Sequence, residues 1–195
     1  MNINFDYKKY IKYLYSLKQF ILISSALFVF SIIYGYFSAK ISPEDAKTTL
    51  LEFEKMFEPI IESGLFMQFV YIFLNNAFAL FISIISGIFF GIFPLLSVFS
   101  NGAIIGIFAF LWGQEFTLFE FLMGIVPHGI IEIPLLIVSA AIGLKIGKTA
   151  IDRVFRKKGK IKPEIKKGLN FYVKIMLFLA LITAAIEVFI TPLFF

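Results

Sequence analysis

Long uninterrupted apolar runs alternate with short polar segments along this chain. The runs long enough to cross a membrane are residues 20–39, 65–90, 95–112, 130–147 and 170–190. About 20 apolar residues in a helix match the ~30 Å hydrocarbon core of a bilayer, whereas a transmembrane barrel shows alternating segments of about ten residues. The pattern therefore predicts an all-α, polytopic membrane protein with about five transmembrane helices, forming a single integral membrane domain over residues 1–195.

The apolar stretch that contains the fourth run is too long for one straight crossing. Residues 118–147 correspond to about 45 Å of helix at 1.5 Å per residue. Pro127 and Pro134 bracket His128, the only histidine, and a proline inside a helix removes one backbone hydrogen bond. The sequence therefore predicts a broken or re-entrant segment near residues 118–130, with the helix interrupted beside His128.

Three polar segments carry opposite charges. Residues 1–19 are predicted to form a basic amphipathic helix, residues 40–64 an acidic amphipathic helix and residues 148–169 a basic loop. Because basic residues beside membrane spans favour the cytoplasmic side, the N-terminus and the basic loop are predicted to be cytoplasmic. The acidic helix and the C-terminus are then extracytoplasmic. The acidic helix either packs on the bundle or the membrane interface, or docks a partner.

Composition agrees with a protein of the cell membrane and removes several functions. Hydrophobic residues make up 59% of the chain and charged residues 16%, whereas ordinary soluble domains carry about a quarter charged residues. The formal charge of +5 comes from residues beside the apolar runs, which predicts contact with the bilayer and its anionic headgroups and no nucleic-acid partner. The absence of cysteine excludes disulfides, thiolate metal sites and cysteine nucleophiles.

Polar side chains inside the apolar runs form a predicted intramembrane cluster. Its members are Asn75, Asn76, His128, Glu132 and Glu187. His128 and Glu132 lie one helical turn apart on one face. Such residues either hydrogen-bond between helices or mark a substrate, ion or proton site. A catalytic or metal site is a third alternative, but neither H-E-x-x-H nor G-x-S-x-G occurs. We therefore expect no catalytic residue, metal or cofactor.

Small and polar residues in the same runs predict close helix packing. The additional packing positions are Asn101, Gly102, Ser139 and Gly143. Glycines four residues apart let helices approach closely, and this spacing occurs at Gly87/Gly91 and at Gly102/Gly106. These pairs predict packing inside one subunit, with a homodimer interface as the alternative.

Several of these residues together resemble the stage II sporulation protein M family. The resemblance covers roughly residues 20–195 and rests on Asn75-Asn76, Asn101-Gly102, Pro127-His128-Gly129-x-x-Glu132-x-Pro134, Ala140-Ala141-x-Gly143-Leu144 and Glu187 with Thr191-Pro192. It implies a multi-pass membrane protein, which in spore-forming bacteria recruits and anchors peptidoglycan-degrading proteins. The family also occurs where no spores form, so sporulation itself is not implied, nor is any catalytic role for these residues.

These observations favour a non-enzymatic membrane scaffold or anchor. Residues 40–64 would recruit an extracytoplasmic or membrane protein, or the basic face would recruit a cytoplasmic one. The alternative is a transporter or permease component whose polar cavity is lined by the five residues of the predicted cluster. An intramembrane enzyme is the third alternative.

Overall fold

The computed structural model of the chain describes residues 7–114 and 117–194, without the side chains of Ile61, Leu118, His128 and Phe194. No strand occurs in this part of the chain. Its α-helices are α1 (Tyr7–Ser16), α2 (Lys18–Ile41), α3 (Pro43–Ile61), α4 (Leu65–Ile85), α5 (Ile92–Trp112), α6 (Leu118–Arg156), α7 (Ile161–Phe171) and α8 (Leu177–Phe189). Two 3₁₀ turns, Ser86–Ile88 and Thr191–Phe194, follow α4 and α8, and a π-helical turn, Tyr172–Met176, joins α7 to α8.

Within the described chain, five helical segments are long and apolar enough to cross a membrane, which confirms the predicted fold class. They are Lys18–Ile41, Leu65–Ile88, Ile92–Trp112, Gly129–Arg156 and Ile161–Leu193. The segment from α6 is the central one, because 44% of its most apolar window is buried, against 22–28% in the other four. α6 packs against α2, α4, α5, α7 and α8.

The pair formed by α2 and α5 shows how the bundle is held together. Its buried positions on α2 are Ser24, Phe28, Ser31, Gly35 and Ala39, mostly small residues, whereas large apolar side chains such as Val29 and Phe30 are exposed. A Cβ on Gly106 of α5 would meet the carbonyl of Ile32. Small residues at the contact and large residues outside are typical of helices that pack in lipid, where close approach replaces the hydrophobic driving force.

The predicted glycine pairs pack within the chain. A Cβ on Gly87 would meet the backbone of Gly143, and one on Gly147 would meet Gly91, so α6 crosses the end of α4 with the two backbones in contact. Gly91 has a φ of +79° and, after Phe90 at φ +58°, turns the chain into α5. Glycine supplies both the left-handed conformation and the space here.

The predicted break beside His128 is wrong. α6 is one helix of 39 residues that includes Pro127 and Pro134. Each proline removes a single hydrogen bond, and the turns on either side keep the helix together. The predicted excess length also disappears when the bounding charges are considered. Between Glu120 and Lys145 the helix runs about 36 Å at 1.5 Å per residue, which a tilted helix fits into a ~30 Å core.

The predicted basic loop at 148–169 is also mostly helical. α6 continues to Arg156, and α7 begins at Ile161, so the connection is only residues 157–160. Lys157 at φ +54° and Gly159 at φ +90° reverse the chain there. Most of the basic residues therefore lie on two helices, and Lys157, Lys158 and Lys160 lie in the short connection between them.

Opposite charges lie at opposite ends of the bundle. At one end, which we call the acidic end, α3 packs through Phe53 against Phe108 of α5, with ring centroids 5.6 Å apart. At the other end, the basic end, lie α1, the last turns of α6, and α7. There Lys145 of α6 donates a hydrogen bond at 2.9 Å to Ser16, the last residue of α1. The described parts of the predicted segments 1–19 and 40–64 are thus amphipathic helices held on the bundle.

Candidate functional site

The residues of the predicted polar cluster belong to α4, α6 and α8, three helices that pack against one another. α4 and α6 run in the same direction and touch at Gly87 and Gly143. Asn76 and Glu132 each lie 11 residues before those contacts in the numbering, so they stand at about the same level along the bundle. α8 runs the opposite way, and the rings of Phe69 and Phe189 meet at 6.1 Å near its end.

Two carboxyl groups form the centre of this site. Glu132 and Glu187 are both partly buried, and Glu187 lies within electrostatic reach of Glu132. In the part of the chain that the structure describes, neither carboxyl group has a hydrogen-bond partner or an ion pair. Two carboxyl groups at membrane depth are costly unless a proton, a cation or water accompanies them. The arrangement therefore suits the binding of a proton, a cation or a polar solute.

The other predicted members are placed differently. Asn76 is partly buried at the level of Glu132, whereas Asn75 is exposed on the outer surface of α4. The side chain of His128 lies outside the described residues, although its backbone is part of α6. Among the described residues, no group of three histidine, cysteine, aspartate or glutamate side chains comes together as a metal site.

The additional packing positions have local structural roles. Asn101 is exposed, and its amide donates to the carbonyl of Ser97 on its own helix at 2.8 Å. Ser139 is fully buried and donates to the carbonyl of Leu136 at 2.8 Å. Gly102 and Gly143 are contact points for α2 and α4.

The basic end contains a network of ion pairs and hydrogen bonds that the sequence pattern did not predict. Glu164 of α7 accepts from Lys167 at 2.7 Å and forms an ion pair with Lys145 of α6 at 3.5 Å. Tyr10 of α1 donates to the side chain of Asn170 at 3.2 Å. The sequence indicated only that Glu164 is a carboxylate within a run of lysines. Its pairing with Lys145 of α6 depends on how the helices pack, which the sequence does not show.

Most of the chain matches a known protein family. The model of the family described as Stage II sporulation protein M matches residues 24–192. This chain belongs to the stage II sporulation protein M family. The match includes all five apolar segments from within α2 onward, α3 and the Glu132/Glu187 site. The family match and the five apolar helices together indicate a membrane protein of this family.

One relative extends the comparison across most of the chain. An uncharacterized protein of Methanocaldococcus jannaschii is 29% identical over 182 residues, which are 88% of this chain and 93% of the relative. No solved structure matches the chain. The name of this relative states no activity.

Proposed function

We propose that this protein is a non-enzymatic membrane scaffold that recruits a partner protein through the outward face of α3. The observation that carries the proposal is the division of α3 into two faces. Ala46, Leu50, Phe53 and Phe57 face the bundle, with Ala46 fully packed in a cluster with Ala39 and Leu111. The carboxylates of the segment, Glu44, Asp45, Glu52, Glu54, Glu58 and Glu62, are all exposed.

The outward face combines charge with an apolar side chain. Leu51 is 54% exposed, and Glu54 and Glu58 lie three and seven residues further on, so the three share one face of the helix. An apolar centre with a charged rim is the usual composition of a protein interface. α3 thus packs on the bundle through one face and exposes an acidic one, in a family whose members in spore-forming bacteria recruit other proteins.

Orientation is part of the same proposal. The basic end carries the lysines and arginines of α1, α6 and α7, and such residues favour the cytoplasm. The acidic end, with α3, then faces the extracytoplasmic side of the cell membrane, as does the C-terminus. The recruited partner is accordingly an extracytoplasmic protein or the extracytoplasmic part of a membrane protein.

Photocrosslinking in cells tests the scaffold. A photoreactive amino acid at Leu51 should give a discrete protein adduct, whereas the same group at Val29, 56% exposed on the lipid-facing side of α2, should not. The double variant Glu54→Lys/Glu58→Lys should remove the adduct, because it reverses the charge beside Leu51 without changing the side chains of α3 that face the bundle. The absence of any protein adduct at Leu51 would contradict the proposal.

The second candidate function is a transporter or permease component, favoured by the Glu132/Glu187 site. Two partly buried carboxyl groups without a protein partner in the described chain are typical of a proton or cation pathway. In proteoliposomes, Glu132→Gln and Glu187→Gln should abolish proton or sodium flux, and Glu120→Gln, at an exposed helix start, should not change it. Wild-type vesicles that conduct no more than empty ones would remove this candidate.

A further inference from the structure

A cleft of about 530 Å³ opens at the basic end, between α1 and α7. Its charged lining consists of Lys9, Lys12, Lys145, Lys166 and Lys167. These lysines come from three helices, and α1 lies far in sequence from α6 and α7. Their convergence is therefore a property of the fold, beyond the clustering of basic residues along the chain.

Aromatic and cation–π contacts join the helices that form the walls of the cleft. Tyr10 and Tyr13 of α1 pack on Phe171 of α7, with ring centroids 6.0 and 5.6 Å apart. Lys145 lies 5.4 Å from the ring centroid of Tyr13, which adds a cation–π contact between α6 and α1. Burial, and then the charge of Glu164, raise the pKa of Tyr13 above its ordinary value. Its hydroxyl therefore stays protonated and able to donate a hydrogen bond.

The positive charge of the cleft is only partly balanced. Glu164 is paired with both Lys145 and Lys167. Lys12 and Lys166 form no ion pair and no hydrogen bond with any residue in 7–114 or 117–194. A concave surface lined by charges of one sign concentrates the electric field and attracts counter-ions. Lysine ammonium groups bind phosphate oxygens as point charges.

We propose that this cleft is a specific binding site for a phosphate group, carried by an anionic phospholipid headgroup or by a soluble phosphate compound. Lys12 and Lys166, which have no ion-pair partner among the described residues, supply its positive charge, and Lys145 and Lys167 border them. The site is independent of the α3 scaffold and of Glu132 and Glu187, and it is more than a general attraction between a basic surface and an anionic membrane.

The surroundings of the cleft suit a lipid. Tyr7, Ile11 and Tyr15 lie at i, i+4 and i+8 on α1 and are 58%, 61% and 69% exposed. An apolar stripe on a basic helix is the pattern of a segment that lies in the membrane interface. α1 would then hold the cleft at the depth of the phosphate groups.

Thermal unfolding of the full-length protein in a neutral detergent tests the site. The protein is titrated with dioctanoyl phosphatidylglycerol, with dioctanoyl phosphatidylcholine and with inorganic phosphate. Phosphatidylglycerol should raise the Tm saturably, and phosphatidylcholine should not. In Lys12→Gln/Lys166→Gln the apparent affinity should fall about 30-fold, since each basic residue contributes about fivefold.

The matched control is Lys158→Gln/Lys162→Gln, which removes the same charge from two exposed lysines outside the cleft. It should retain the wild-type affinity. Stabilisation by phosphatidylglycerol alone supports the site with a lipid headgroup as its ligand, and stabilisation by inorganic phosphate as well supports it with the phosphate group sufficient by itself. Equal losses in the two double variants, or no saturable stabilisation by either anion, would overturn the proposal.

Discussion

Gly143 of α6 stands where the helix backbones are nearly in contact, with the carbonyl of Ser83 and the ring of Pro94 occupying the place of a Cβ. Because backbone atoms cannot move aside as a flexible side chain can, Gly143→Ala should force α6 away from α4. We expect a loss of about 1–3 kcal/mol of stability, the usual cost of an overfilled contact. The lowered Tm of the purified protein in detergent measures it.

The same substitution at Gly129 is the control. It lies on the same helix, and a Cβ there would meet only the side-chain ends of Ile125 and Ile133, at 3.2 and 3.6 Å. Gly129→Ala should leave the Tm unchanged or raise it, because alanine favours a helix interior over glycine by about 1 kcal/mol. Similar losses for both variants would contradict the packing role of Gly143.

Tyr172 is a buried residue whose hydroxyl donates to the carbonyl of Ala77 at 2.9 Å, joining the π-helical turn to α4. Tyr172→Phe removes this bond without removing the ring, and should cost about 0.5–1.5 kcal/mol. Tyr34→Phe makes the same chemical change where the ring touches Phe99 and no hydrogen bond of the hydroxyl occurs within the described residues. Its Tm should not change, and equal Tm values for both variants would contradict the link.

Helix α6 begins with a capping box. The Thr117 hydroxyl accepts from the backbone N–H of Glu120 at 3.3 Å, and the Thr117 backbone N–H donates to the Glu120 carboxylate at 2.7 Å. Thr117→Ala should weaken the first turn by about 1 kcal/mol. Faster amide hydrogen exchange confined to that turn is the measurement, and unchanged exchange would contradict the cap.

The pH dependence of this cap has a definite sign. Hydrogen bonds from the backbone and hydroxyl of Thr117 lower the pKa of Glu120. A lowered folded-state pKa means that the contribution is present above the ordinary glutamate pKa and is lost as the pH falls through the lowered one. The stability of Glu120→Gln should therefore be lower than that of wild type at neutral pH and equal to it in acid. A difference that persists in acid would contradict this origin.

The sequence was a good guide to elements whose cause is local. Five apolar segments and the amphipathic helices α1 and α3 were predicted, because length and periodicity decide them. The break beside His128 was predicted wrongly, because one proline costs a helix less than the rest of its turns supply. The docking of Tyr10 and Tyr13 on Phe171 and the pairing of Lys145 with Glu164 were missed, since no local pattern encodes contacts between distant helices.

The candidate site was predicted in part for a similar reason. An ionisable residue in an apolar run is visible in the sequence, so Glu132 and Glu187 were identified. Which side of a helix faces a neighbour depends on packing, and Asn75 and Asn76, adjacent in the chain, have different exposures. The structure adds the contact between Gly87 and Gly143, which sets Asn76 at about the level of Glu132.

The bundle as a whole is electrically polarised along its length. The exposed carboxylates of α3 lie at one end, and the lysines of α1, α6 and α7 lie at the other. Because a membrane with an anionic cytoplasmic leaflet favours basic residues on that side, we expect the basic end to face the cytoplasm. Five crossings would then place the two termini on opposite sides of the membrane.

Cysteine labelling tests this orientation on a clean background, because the chain has no cysteine. A cysteine at Glu54, exposed on α3, should react with an impermeant maleimide added to intact cells. One at Lys158, exposed in the turn before α7, should react only after permeabilisation. Ala46 is buried on the face of α3 that packs on the bundle. Ala46→Cys should therefore stay unlabelled until the protein is denatured, and this control would show that labelling reports exposure. The reverse pattern at Glu54 and Lys158 would mean that the acidic end faces the cytoplasm, and the partner of α3 would then have to be sought there.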